Sequence, residues 1–344
     1  MAPFKSSLAR SAGKLFGVLK EADLSLRGAT QISRIPPPPP FAATGGSTFS
    51  AGGKTVHKFT SNQNFVITSG GNVEILVIGG GGSGGGDSGG GGGAGAVLYG
   101  TGITYEPGTY AVVVGAGGAE VPGYYSDPEA NFRNSHCGKD STLAHPGGTF
   151  TGGGGNSGGM TYANPYPQSP ISDGNAGSLG CNGGSNVGAP TSPATIPNAA
   201  LTSPYPTPSE GTLNVYRNQG GSVQSPNNNQ WIGGGGGGAG GAGGAGGPGA
   251  GHGGDGYNAG SNIPWMPNSE GVSGVFAGGG GAGAPDNGSG GGGNPGPGGG
   301  GSGGDEGGAN STAGGTNTGG GGGGNDAFPG KAGGPGIVYI SYPE

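Results

Sequence analysis

The sequence predicts a mainly β and irregular fold, in which a short antiparallel β framework holds packed polyglycine II rods and an isolated amphipathic helix stands at the N-terminus. Three observations predict it. Gly supplies 98 and Pro 29 of the 344 residues, with 29% hydrophobic and 9% charged, far from an average globular composition. Short apolar or alternating segments flank the glycine-rich stretches, and a helical stripe of apolar residues lies close to Met1. The chain divides accordingly into an N-terminal segment (1–35), a Pro-rich spacer (36–53) and a glycine-rich body (54–344) with an aromatic insert at 156–231.

In the N-terminal segment Leu8, Ala12, Leu15, Phe16 and Leu19 fall at helical spacing and form one stripe. Ser6 or Ser7 can cap the amino end. A helix of about 14 residues is ~21 Å long and marginal alone in water, so its stripe needs a partner. Lys14 and Lys20 break any apolar core of a secretory signal, whereas an organellar transit peptide fits the Arg- and Ser-rich, amphipathic composition. A docking peptide for another protein is the preferred reading, because the prolines at 36–40 follow at once. They make a semi-rigid polyproline II rod of roughly 15 Å.

After a polar joint over 41–50, strands are expected at 55–60, 64–68 and 73–79, joined by turn residues and arranged as a meander. Residues 96–102 and 109–115 continue it, with Glu106, Pro107 and Gly108 as the turn between them. Residues 337–341 supply a last strand that closes back on the first ones, which makes the glycine region an excursion within one domain. The glycine runs lie at 79–86, 89–93, 152–155, 233–247, 278–283, 290–301 and 319–324. High Gly and Pro without a period more often means disorder, and the collagen pattern is broken by the run at 233–238. The ordered alternative is a set of polyproline II rods whose backbones, lacking Cβ atoms, approach closely enough to hydrogen-bond each other. At ~3.1 Å per residue the longest run would span about 45 Å.

Charge narrows the partners. Residues 1–34 hold six Lys/Arg and two Asp/Glu, and the remainder six and sixteen. An acidic body offers no track for a phosphate backbone, so no nucleic-acid partner is expected. No stretch approaches the roughly 18 apolar residues of a membrane span. Cys137 and Cys181 are the two cysteines; one bridge between them is allowed and nothing in the sequence supports it.

Several motifs imitate chemistry. Gly79, Gly81 and Gly84 have dinucleotide-binding spacing after a strand, but the following residues cannot form the helix whose amino end would hold the pyrophosphate. Gly53, Lys54 and Thr55 resemble the end of a phosphate-binding loop without its first glycine. Residues 253–256 hint at a single turn of a calcium repeat. His136, Cys137 and His145 lie close in sequence, yet a zinc site wants a fourth ligand at recognisable spacing. Asp305 and Glu306 lack surroundings that would tune them as acid and base. No catalytic residue, metal or cofactor is assigned, and the chain is not expected to be an enzyme.

Binding is assigned to aromatics of the non-glycine inserts, namely Tyr124, Tyr125, Tyr162, Tyr166, Tyr205 and Trp231, accompanied by Phe132, Tyr216 and Trp265. Rings on rigidly held loops give contact area at low entropy cost. The competing reading packs the same rings over the ends of the glycine rods.

The order of an apolar strand entering glycine at 73–82, the Gly-Ala segment at 91–97, the strand at 109–118, the glycine runs, and Gly336-Ile-Val-Tyr-Ile-Ser-Tyr resembles the glycine-rich domain of phage and viral structural proteins. It is also similar to glycine-rich adhesins at the tips of phage long tail fibres. The resemblance implies a virion location, other virion structural proteins as partners of the N-terminal segment, and a host surface receptor or polysaccharide as a target. A homotrimer is compatible with such an appendage. The N-terminal segment and the insert depart from the pattern. A non-viral structural or ice-binding glycine-rich protein is the alternative.

Overall fold

The computed structural model describes residues 39–86, 89–121, 135–159, 211–222, 232–246, 249–284, 291–305, 311–326 and 329–344. The predicted N-terminal helix, with Leu8, Ala12, Leu15, Phe16 and Leu19, lies outside them. Phe41–Glu344 forms one compact unit.

That unit is mainly β. One antiparallel sheet has β1 (Ala42–Thr44), β4 (Gln63–Ser69), β7 (Gly108–Val113), β8 (Ser141–His145) and β9 (Gly148–Gly152), neighbours in that order. A second has β10 (Thr212–Tyr216), β6 (Val97–Tyr105), β5 (Gly71–Ile78), β13 (Ile337–Pro343), β3 (Lys54–Phe59) and β2 (Ser47–Ala51). A two-stranded sheet, β11 (Tyr257–Asn258) with β12 (Val275–Phe276), and a single helical turn, α1 (Ala259–Asn262), are further regular elements among the described residues. Among the described residues no helix is long and apolar enough to cross a membrane.

The C-terminal strand closes the framework as expected: β13 lies between β3 and β5, pairing Ile340 with His57 on one side and with Ile75 on the other. The expected meander does not form. β4 leaves for the other sheet, where Phe65 pairs with Tyr110 of β7, because β13 occupies the edge of β3 that a meander would use. Glu106 and Pro107 likewise carry the chain from one sheet to the other rather than closing a hairpin. Residues 42–51, assigned from the sequence to the joint and spacer, form β1 and β2 and pair with β4 and β3.

Burial explains the two kinds of strand pattern. Val73, Ile75 and Val77 of β5 meet Phe65 and Ile67 of β4, Leu143 of β8 and Phe150 of β9 in the core between the sheets. Leu76 and Ile78 point the other way, into a second core with Trp265, Met266, Ile263 and Phe276. A strand covered on both faces reads as a continuous apolar run rather than an alternation.

The glycine segments pack beside this framework through backbone hydrogen bonds. From 79 to 85 the donors separate by threes. The amides of Gly79, Gly82 and Gly85 reach Ala96, Gly93 and Gly90. Those of Gly80 and Ser83 reach Lys139 and His136, and those of Gly81 and Gly84 reach Gly334 and Lys331. The carbonyls accept in turn from three further segments, at Gly118, at Gly155 and Gly158, and at Gly322 and Asn325. Residues 277–284 are surrounded in the same way, with Gly278, Gly281 and Ala284 donating to Gly298, Gly301 and Gly304. The run at 233–247 is not a single 45 Å rod. Gly238 donates to Gly241 and Gly235 to Gly244, so the run doubles back on itself, while its other amides reach neighbours such as Gly280, Ala277 and Asp255.

Such approach is possible only without Cβ atoms. A Cβ on Gly81 would lie 2.0 Å from the Gly320 oxygen, and one on Gly321 would lie 1.9 Å from that of Gly92. Where the third direction faces water, side chains return: Ala242 and Ala245 on one segment and His252 and Asp255 on its neighbour are exposed at intervals of three.

Gly81→Ala is therefore expected to cost about 1–3 kcal/mol or more in chemical denaturation, since backbone must move. Gly249→Ala, where an added Cβ meets nothing within 4 Å, should be neutral or stabilise by up to about 1 kcal/mol. Equal losses for the two would contradict the packing.

His57, 1% exposed, ties three parts of the chain together. Its Nδ1 lies 2.7 Å from the Gly45 oxygen and its Nε2 3.1 Å from the Tyr342 hydroxyl. Burial pushes its pKa below the ordinary 6.5, against the opposing pull of the Gly45 carbonyl. The unfolded chain then binds a proton before the folded one does, so stability is full above about pH 6.5 and falls as the pH drops toward the lowered folded pKa. Melting curves between pH 8 and pH 5 should show a steeper decline for the native chain than for His57→Asn.

Candidate functional site

Residues of the motifs that imitate phosphate and metal sites take part in the fold itself. The backbone amides of residues 79–84, which a pyrophosphate would need, all donate to carbonyls of this chain. Lys54 starts β3 and pairs with Glu74 at 2.5 Å. His136 bonds the Ala119 oxygen through Nδ1 at 2.9 Å, and His145 bonds the Thr104 oxygen through Nε2 at 3.0 Å while its Nδ1 accepts from Gly147. Cys137 is buried and unbridged; Cys181 is outside the described residues. Among the described residues no group of three or more His, Cys, Asp and Glu could hold a metal ion. Asp305 accepts the Gly292 amide at 2.8 Å, and Asp255 lends its carbonyl to Gly240 and Gly241. These acids serve the glycine network.

The six aromatics assigned to receptor contact, Tyr124, Tyr125, Tyr162, Tyr166, Tyr205 and Trp231, fall outside the described residues. Of the rings mentioned beside them, Trp265 and Tyr216 are described, and their roles divide. Trp265 is 1% exposed and belongs to the core beneath the six-stranded sheet. Its Nε1 donates to Glu74 Oε2 at 2.6 Å, alongside the Tyr99 hydroxyl at 2.9 Å. Burial alone would raise the Glu74 pKa, but the bonds from Lys54, Trp265 and Tyr99 outweigh it and hold the carboxyl below its usual value. A parallel cluster joins Lys58 and the Tyr339 hydroxyl to Glu270 Oε2, each at 2.6 Å. Burial first, and then the Glu270 bond, pushes the Tyr339 pKa well up. The two clusters pin residues 257–277 to the sheet. Each cluster is an anchor that ties a carboxylate to donors from separate parts of the chain.

Tyr216 stands elsewhere. It ends β10, the edge strand of the six-stranded sheet, and stacks on Tyr257 with ring centroids 4.2 Å apart. The two rings line a cleft of about 400 Å³ with Val215, Arg217, Asn218, Asn258 and Asn262 and the backbone of the turn at 239–240. Sequence reasoning placed Tyr216 in the insert but found neither Tyr257 nor the asparagines, since the glycine turn that brings them together has no side-chain signal.

Trp265→Ala is expected to cost about 3–5 kcal/mol in urea unfolding, the range for emptying a large aromatic site. Trp265→Phe, which deletes the N–H donor and keeps a ring, should cost clearly less. Equal costs for the two would make the Glu74 bond, and not burial, the anchor.

A search of curated proteins returns no match to this chain. The model of the Glycine-rich domain matches residues 55–343, which begins in β3, ends in β13 and takes in every glycine segment between them: the chain belongs to that family.

Proposed function

We propose that the chain is a structural protein of a bacteriophage virion, docked by residues 1–35 and projecting the glycine-rich body as a fibre, adhesin or capsid decoration that contacts the host surface. The observation that carries this reading is the threefold separation of amide donors along the glycine segments. A period of three, with neighbours on all sides, is what polyglycine II rods with three residues per turn would give. A body bonded in that way is stiff, carries few large apolar side chains on its surface, and dispenses with a deep apolar core in its glycine portion. Those are properties of a part that projects and presents. The order of strands and glycine runs, which resembles that of phage and viral structural proteins, supports the virion location.

Amide hydrogen exchange should show strong protection across the described parts of 233–324, comparable with β5 and β13; exchange at random-coil rates would remove the rigid body. Epitope-tagged full-length chain should co-sediment with particles on a density gradient, and a chain lacking 1–35 should fold and stay behind. Full-length chain found away from particles would point instead to a non-viral role, and thermal hysteresis in the purified protein would identify that role as ice binding.

A further inference from the structure

We propose that the cleft between β10 and the 239–262 region is a binding site for a saccharide, with Tyr216 as the stacking platform. The inference deepens the host-contact reading given above and rests on it for its biological meaning, although the binding itself does not depend on virion assembly.

Four features of the cleft point to this ligand class. Its volume of about 400 Å³ lies in the range of small-ligand sites and exceeds what a single sugar ring fills. Its floor is aromatic but shallow. Tyr257 is 5% exposed and supports Tyr216 from below at 4.2 Å, while Tyr216 stays only partly covered. A ring held in place by a second ring presents an apolar face at little entropy cost and suits the C–H face of a pyranose. The rim is amide-rich. Asn258 and Asn262 are exposed, and Asn218 is held in place by bonds from its Nδ2 to the Gly238 and Ala239 oxygens at 3.0 and 3.1 Å. Amides can both donate to and accept from hydroxyls.

The fourth feature is the charge of the lining, which holds the Arg217 guanidinium and no carboxylate; this suits a ligand of hydroxyls, to which a guanidinium can donate, rather than a cation or basic peptide. The Tyr257 hydroxyl is kept protonated far above neutrality, by burial first and then by its bond with Tyr216, so the floor under the platform ring adds no charge. The cleft is also rigid by construction. The Ala239 amide donates to Ala277 and the Gly240 amide to Asp255, the Asn262 side chain bonds the Asn258 oxygen at 2.7 Å, and Tyr216 pairs with Val97 of β6.

Saturation-transfer NMR on the full chain, with glucose, galactose, mannose, N-acetylglucosamine, rhamnose and their short oligomers as probes, tests the proposal. At least one sugar should show transfer, with affinity confirmed by calorimetry. Tyr216→Ala should weaken it tenfold or more, and Tyr216→Phe should retain it. Asn262→Ala, at the rim, should weaken it without loss of fold, and Val272→Ala, exposed and away from the cleft, should leave it unchanged. The proposal fails if none of these sugars binds, or if one binds with an affinity that neither Tyr216→Ala nor Asn262→Ala alters. Binding of sugar by a chain that never joins particles would keep this site and overturn the virion reading; particle incorporation without sugar binding would do the opposite.

Discussion

The structure depends on one constraint: a backbone amide can reach a carbonyl of a neighbouring extended segment in any of three directions only if no Cβ stands in the way. In water each such bond is worth little net, about 1 kcal/mol, because the unfolded chain bonds to solvent. Ordering glycine is also more expensive than ordering any other residue. The network therefore has to be collective. Residues 79–85 donate to three segments and accept from three more, so each bond is made with its neighbours already fixed.

What fixes them is the β framework. β5 enters the glycine region at Ile78 and β13 leaves it at Ile337, and these two residues are paired with each other. The chain between them, which also supplies β6 to β10, thus departs from and returns to one point in the middle of the sheet. The inner face is closed by the second sheet, and the outer face by residues 257–277 with Trp265 beneath Glu74 and Tyr339 bonded to Glu270. A conventional apolar core holds the strands, and backbone bonds hold the glycine segments between them. Substitution tolerance should differ between the two in kind: volume matters in the first, and the mere presence of a side chain in the second.

The division also bears on function. Glycine segments packed by their own backbones have no side chains with which to recognise anything, so chemistry can appear only at their turns, on their outward third positions, and on the inserts between them. The Tyr216 cleft is of this sort. Its walls come from an edge strand, a glycine turn and a one-turn helix, and none of them would suffice alone.

Much of this was legible in the sequence. The apolar runs at 73–79 and 337–341 and the alternation at 64–68 marked strands, and the return of the last strand to the first ones followed from its position after the glycine runs. The tight spacing of glycines allowed backbone contact between segments. What the sequence could not decide was partnership. Whether β4 paired with β3 or crossed to β7, whether the run at 233–247 extended or doubled back, and which turn met Tyr216 were all settled by long-range contacts. A glycine run carries no pattern that names its neighbour. Local spacing can specify a strand's period through its side chains, but a segment without side chains acquires its place only when the surrounding backbone supplies the donors and acceptors it must meet.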